Sequence, residues 1–131
     1  MSWPFNPPLL VVSEDRVLRG ELARVLTKQS WDVLCFADWE HAAAELPQAA
    51  GGILVTDHSW NKAVKAAAQL DPPALVVAVC DGPRQINEAK EAGVYDTIVR
   101  PFEAMEPAWT VACAWHFASC QAEARSQCDA A

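Results

Sequence analysis

Five short apolar runs, separated by stretches of helical spacing, constrain this chain more than any other feature. They are Leu9–Val12, Val33–Phe36, Gly52–Thr56, Leu75–Val79 and Thr97–Val99. Runs this short and this continuously apolar suit strands covered on both faces, as in a parallel sheet between two helix layers. Strand and helix patterns alternate five times, which predicts an α/β three-layer sandwich. The third run ends in a single carboxylate, Asp57. In open α/β sheets that carboxyl edge is where ligands and chemistry gather.

Right-handed crossovers leave few topologies, and a flavodoxin-like five-stranded parallel sheet of order 2-1-3-4-5 is expected. Residues 1–8 read as an N-terminal tail, because Pro4, Pro7 and Pro8 cannot donate to a ladder. Residues 9–118 make the domain, and 119–131 a C-terminal helical extension. After Ser13-Glu14-Asp15, a polar cluster of helix-capping type, Leu18, Leu22, Val25 and Leu26 mark the inner face of a first helix. Asp38 caps a short helix through Leu46, with Ala42, Ala43 and Leu46 inward. Asn61 to Leu70 shows little apolar periodicity and predicts a weak third helix, broken by Asp71-Pro72-Pro73. Pro83 sits early in a fourth helix that stops at Gly93. A long helical stretch runs from about residue 104 to about 128.

Composition narrows the function. The 131 residues suit one domain, and 52% hydrophobic content is globular. No apolar run approaches the ~20 residues of a membrane span. The N-terminus has no basic residue before its prolines, so no signal peptide is read and a cytoplasmic location is expected. Ten basic against 17 acidic residues give a net charge of −7, which disfavours nucleic acid as a partner. Five cysteines, an odd number without a CxxC, suggest neither a disulfide framework nor a zinc site. Cys35 and Cys80 are expected in the core. His41 and His116 are read as having no Cys or carboxylate at ligand spacing. His58 follows Asp57, and neighbours on an extended chain point apart. With no G-x-S-x-G, P-loop or G-x-G-x-x-G either, an enzyme is not expected.

Three landmarks coincide: the acidic cluster after the first strand, Asp57 after the third, and Glu91-Ala92-Gly93-Val94-Tyr95-Asp96-Thr97-Ile98-Val99-Arg100-Pro101-Phe102 before the last helix. From about Leu9 to about Ala118 the chain resembles a bacterial two-component response-regulator receiver domain. The resemblance implies that Asp57 is the phosphoacceptor, modified by a sensor histidine kinase. It also implies an acidic pocket at Ser13 and Glu14, weak Mg²⁺ binding by Glu14 and Asp57, and Arg100 pairing with the phosphoryl group. Ala78 and Thr97 take the switch positions, and Arg100–Pro101 is a candidate cis peptide.

The chain departs from that pattern at nearly every partner of Asp57. Ser13 replaces the first acid, and Ala78 replaces a hydroxyl that would bond the phosphoryl group. Arg100 replaces a lysine, with a different shape and reach. His58-Ser59-Trp60-Asn61-Lys62 replaces the usual loop after the phosphoacceptor. The alternative is therefore a degenerate pseudo-receiver that acts without phosphorylation, by dimerising or binding a partner.

The last helix supplies such a surface. If Val111, Ala114, Trp115 and Ala118 face the sheet, then Trp109, Cys113, His116, Phe117 and Cys120 lie outward. Receivers commonly associate through the fourth helix, fifth strand and last helix, so a homodimer there is expected, with Trp109, Cys113 and Phe117 in the interface. The helical extension resembles the linker of receivers that carry an output domain, such as transcriptional regulators and antiterminators.

Overall fold

The computed structural model describes residues 8–29, 31–103 and 105–130, with the backbone alone for 8, 118, 119 and 121–130. The proposed tail, residues 1–7, and the proposed start of the last helix at Ala104 lie outside the described residues. Five strands alternate with five helices. They are β1 (Pro8–Val12), α1 (Arg16–Lys28), β2 (Asp32–Phe36), α2 (Trp39–Ala43), β3 (Ile53–Thr56), α3 (Trp60–Ala68), β4 (Leu75–Cys80), α4 (Pro83–Ala92), β5 (Asp96–Val99) and α5 (Met105–Ala130). The sheet is entirely parallel, in the order β2-β1-β3-β4-β5. Pro8 belongs to β1 and not to the tail, one residue earlier than expected.

Side chains alternate across the strands and divide the core in two. On one face Leu9, Val11, Ile53, Val55, Val77, Val79 and Ile98 pack against α1 and α5. The α1 contribution is the expected Leu18, Leu22, Val25 and Leu26; α5 brings Ala108, Val111 and Ala114. On the other face Leu10, Val12, Leu54 and Val76 meet Trp39, Ala42, Ala63 and Ala67. Burial on both faces is why the strands read as unbroken apolar runs rather than alternating ones.

Three local expectations need correction. The α2 helix ends at Ala43, with a 3-10 turn at Leu46–Ala49 after it. Its buried residues are Trp39 and Ala42; Ala43 is exposed, and Leu46 packs against the core half-buried as expected, from the 3-10 turn rather than from the helix. Cys35 is exposed, since β2 is an edge strand with thin cover; Cys80, in β4, is fully buried. The α3 helix packs on small residues, Ala63 and Ala67, and a single large one, Trp60. Gly93 ends α4 at φ +97°, a conformation that costs a side-chain-bearing residue 1–2 kcal/mol or so. Both Asp71–Pro72 and Arg100–Pro101 are cis. No helix among the described residues is long and apolar enough to cross a membrane.

Candidate functional site

The register of the central strands builds the site. Val12 pairs with Thr56, so the residues one step beyond, Ser13 and Asp57, emerge side by side at the carboxyl edge. Ser13, fully buried, donates from Oγ to Asp57 Oδ2 at 2.8 Å. The same Oγ accepts from the Asp15 amide at 3.0 Å. The other Asp57 oxygen, Oδ1, lies 2.8 Å from His58 Nδ1. An ionised carboxylate can only accept, so Nδ1 carries the hydrogen. Both oxygens of Asp57 are thus engaged by the chain's own residues.

The contact with His58 overturns the expectation that neighbours point apart. That alternation holds within a strand, and β3 ends at Thr56. The chain then turns: Thr56 Oγ1 donates to the His58 carbonyl at 3.1 Å, and Ser59 takes a left-handed conformation at φ +55°. His58 also sets its ring against Trp39, with centroids 6.5 Å apart.

Of the remaining expected partners, the structure brings none onto Asp57. Glu14 is exposed to solvent. Arg100 directs its guanidinium to Asp15, with Nη2 donating to Oδ2 at 3.0 Å and Nη1 3.9 Å from Asp81. Asp15 also caps α1, its Oδ1 accepting from the amides of Val17 and Leu18. The hydrogen bond donated by the Leu18 amide, together with Arg100, holds the Asp15 carboxyl below its usual pKa. Sequence reading placed Asp15 as a cap and missed its second partner, because the two residues are 85 positions apart.

Ala78 lies in register between Thr56 and Thr97, so the two switch positions are neighbours. Ala78 is fully buried, in a cluster with Trp60, Cys80 and Ala89. Trp60 anchors this cluster by donating from Nε1 to the Thr56 carbonyl at 3.1 Å. Where Ala78 has only a methyl group, an indole fills the space. The signal for Trp60 was its place three residues after Asp57, at the start of α3, although its α3 partners Ala63 and Ala67 gave little apolar pattern.

Between the β3–α3 turn and α4 lies a cleft of about 700 Å³, lined in part by Asp57, His58, Asn61, Gln85, Glu88 and Glu91. Three carboxylates against one imidazole make it inhospitable to phosphate. The donor set does not fit Mg²⁺ well either. Mg²⁺ asks for several oxygen ligands in octahedral array. Glu14 faces solvent, Asp15 is committed to its cap and to Arg100, and Asp57 already has two partners.

The outward face of α5 contrasts with this edge. Val111 and Ala114 are fully buried, and Trp115 packs edge-on against Trp31 at 5.9 Å, as expected from the helical pattern. Ala118, the fourth inward residue of that pattern, has no described side chain. Trp109 is 70% exposed and Phe117 41%, with Cys113 also exposed. Phe117 stacks obliquely on Tyr95 at 5.2 Å, so α5 and the residue before β5 share one aromatic patch.

Two histidines were misjudged. His41 lies within 2.8 Å of Asp38, three residues earlier on the same helix turn. His116 Nε2 lies 3.7 Å from Cys120 Sγ, one turn further along α5. Helical spacing supplies neighbours at three and four residues that a search for loop-type motifs passes over.

No family model matches the sequence, and no curated protein matches it. Solved structures do match, and they share the fold. A signal receiver domain of a putative Luxo repressor protein from Vibrio parahaemolyticus superposes with a TM-score of 0.78 at 15% identity, over 92% of this chain and 98% of that one. A response regulator from Thermotoga maritima gives 0.66 at 20% identity, over 76% and 89%. A putative pilus assembly-related protein from Burkholderia pseudomallei gives 0.64 at 21% identity, over 88% and 95%. The chain therefore has the receiver-domain fold, as its sequence pattern led one to expect.

Proposed function

We propose that this chain is a receiver-type signalling module that works by contact, without phosphorylation of Asp57. One observation carries the reading: Ser13 and His58 occupy both oxygens of Asp57, while the cation that would meet a phosphoryl group, Arg100, is paired with Asp15. Phosphoryl transfer relies on pre-placed positive charge to stabilise the developing anion. Here that charge is spent elsewhere, and Ala78 offers no hydroxyl. The module is non-enzymatic, and its working surface is the α4–β5–α5 face, where Trp109, Cys113 and Phe117 make a homodimer or seat a protein partner. A regulator or antiterminator output following α5 fits this reading.

A second reading keeps Asp57 as phosphoacceptor of a sensor histidine kinase. It is favoured by the position of Asp57 at the mouth of an open cleft, with its side chain 21% exposed. One experiment separates the two. The protein is incubated with Mg²⁺ and a small phosphodonor, and intact mass is recorded beside Asp57→Asn. No phosphoryl adduct is expected. A rapid, stoichiometric adduct that disappears in Asp57→Asn would overturn the contact-only reading and establish the second.

A further inference from the structure

The outward stripe of α5 carries two residues, His116 and Cys120, that neither reading uses. Trp109, Cys113, His116 and Cys120 follow one another at intervals of four, three and four residues. That is the spacing of a coiled-coil seam, and it places the four on one side of the helix. Ala108, Val111 and Ala114, on the opposite side, are buried against the sheet. All four residues of the stripe are exposed, and it faces away from the chain's own core.

Within that stripe, His116 Nε2 and Cys120 Sγ are 3.7 Å apart. Zinc bonds of about 2.3 Å to sulfur and about 2.0–2.1 Å to nitrogen, set at the tetrahedral angle, hold their two ligand atoms about 3.6 Å apart. The pair already has the bite of two ligands of one zinc ion. Two ligands are half a structural site, which takes four. Among the described residues no three potential ligands converge within one chain. The missing half has to come from outside it.

A second copy supplies it. In a two-fold contact both copies use the same patch, and a His–Cys pair placed at the axis faces the His–Cys pair of the other copy. We propose that two copies of this chain pair through the outward stripe of α5 and bind one Zn²⁺ between them, with His116 and Cys120 of each copy as the four ligands. A tetrahedral set of two sulfurs and two nitrogens is the preference of zinc among the common divalent ions. The proposal rests on the pairing of α5 faces put forward above, and is independent of what happens at Asp57.

The test uses the whole chain, kept reduced, with Zn²⁺ titrated against a chromophoric chelator and mass followed by light scattering. Expected are one zinc per two chains and a dimer roughly tenfold or more tighter with zinc than with chelator, by mass action. Co²⁺ in place of zinc should give the absorption of a tetrahedral thiolate site. Cys120→Ser and His116→Ala, both at exposed positions, should lose the zinc response and the Co²⁺ spectrum, while Cys35→Ser, an exposed cysteine on the edge strand β2, keeps them. A dimer that forms equally in chelator and binds no zinc would overturn the site but leave the pairing. A monomer under both conditions would overturn both. Equal zinc binding by wild type, Cys120→Ser and His116→Ala would also overturn it, and the 3.7 Å contact would then be a thiol–imidazole hydrogen bond.

Discussion

The carboxyl edge of the sheet and the outward face of α5 differ in how far their groups are satisfied from within the chain. At the edge, Asp57 is held by Ser13 and His58, Arg100 by Asp15, and the space beside Ala78 by Trp60. On α5, Trp109, Met105 and Phe117 are 70%, 51% and 41% exposed. Polar groups that have found partners at home gain less from new ones, because part of their bonding is already met. Exposed apolar groups gain by association at roughly 25 cal/mol for each Å² covered. The contrast teaches where the two surfaces differ: the carboxyl edge is largely satisfied from within the chain, and the exposed apolar area lies on the helix.

Trp60 is the largest element of the closed edge, and removing it is the hardest blow to that picture. Trp60→Ala should cost about 3–5 kcal/mol in urea unfolding, as a buried indole leaves a void that Ala78, Cys80 and Ala89 cannot fill. A loss below about 1 kcal/mol would mean that the edge is loosely packed and that a ligand could displace the indole.

Ser13 comes next. Ser13→Ala should destabilise by about 1–3 kcal/mol, because a buried donor is lost and Asp57 is left short of a partner. Ser13→Asp is more telling. Two carboxylates would then face each other at the edge, and each would raise the other's pKa. Thermal unfolding of Ser13→Asp should rise on addition of Mg²⁺, while wild type stays unchanged. A wild-type response of equal size would show that the present donors already suffice for the ion.

The fold was legible because strand length, helical spacing and turn residues all pointed the same way. Leu9–Val12 and Ile53–Thr56 could hardly be anything but buried strands, and the inner faces of α1 and α5 followed from spacing alone. The candidate site was legible only in its positions. Ser13 next to Asp57 follows from register once the strand order is known. The Asp57–His58 contact depends on where β3 stops and how the chain turns after it, which a rule about extended neighbours gets backwards. The partner of Arg100 is a long-range choice among Asp15, Asp57 and Asp81, and spacing in sequence says nothing about which is taken. His116 and Cys120 were within reach of helical arithmetic and were passed over.

On the open side the expected effects fall on association rather than stability. Trp109→Ala and Phe117→Ala should each change unfolding free energy by no more than about 0.5 kcal/mol, the usual range for surface positions. Phe117→Ala should be the costlier, since its ring rests on Tyr95. Light scattering across a concentration series should show wild type associating and the double variant not. A wild-type chain that stays monomeric at high concentration would close this face as well, and the contrast would vanish.

The smallest expected effect concerns acid. Asp15 has its pKa lowered in the folded chain, first by the Leu18 amide and then by Arg100. A group whose folded pKa is depressed contributes stability above its unfolded pKa, and that contribution is lost as pH falls through the folded value. For Asp15 the window therefore opens near its ordinary value of 3.8 and extends below it. At neutral pH the contribution is whole. Asp15→Asn keeps a good N-cap in shape, since Asn serves α1 about as well as Asp does, and removes the charge that meets both the Leu18 amide and Arg100. The variant should thus lie slightly below wild type in stability at pH 7, and the gap should close as the pH is lowered through that window. Arg100 would then be free of Asp15, and the same variant is the one in which Asp57 has the best chance of gaining a cationic neighbour. Urea midpoints of wild type and Asp15→Asn, measured in parallel from pH 7 to pH 3, decide it. A gap that stays constant with pH would show that the charge of Asp15 contributes nothing, either at the cap or in its ion pair with Arg100, to closing the edge.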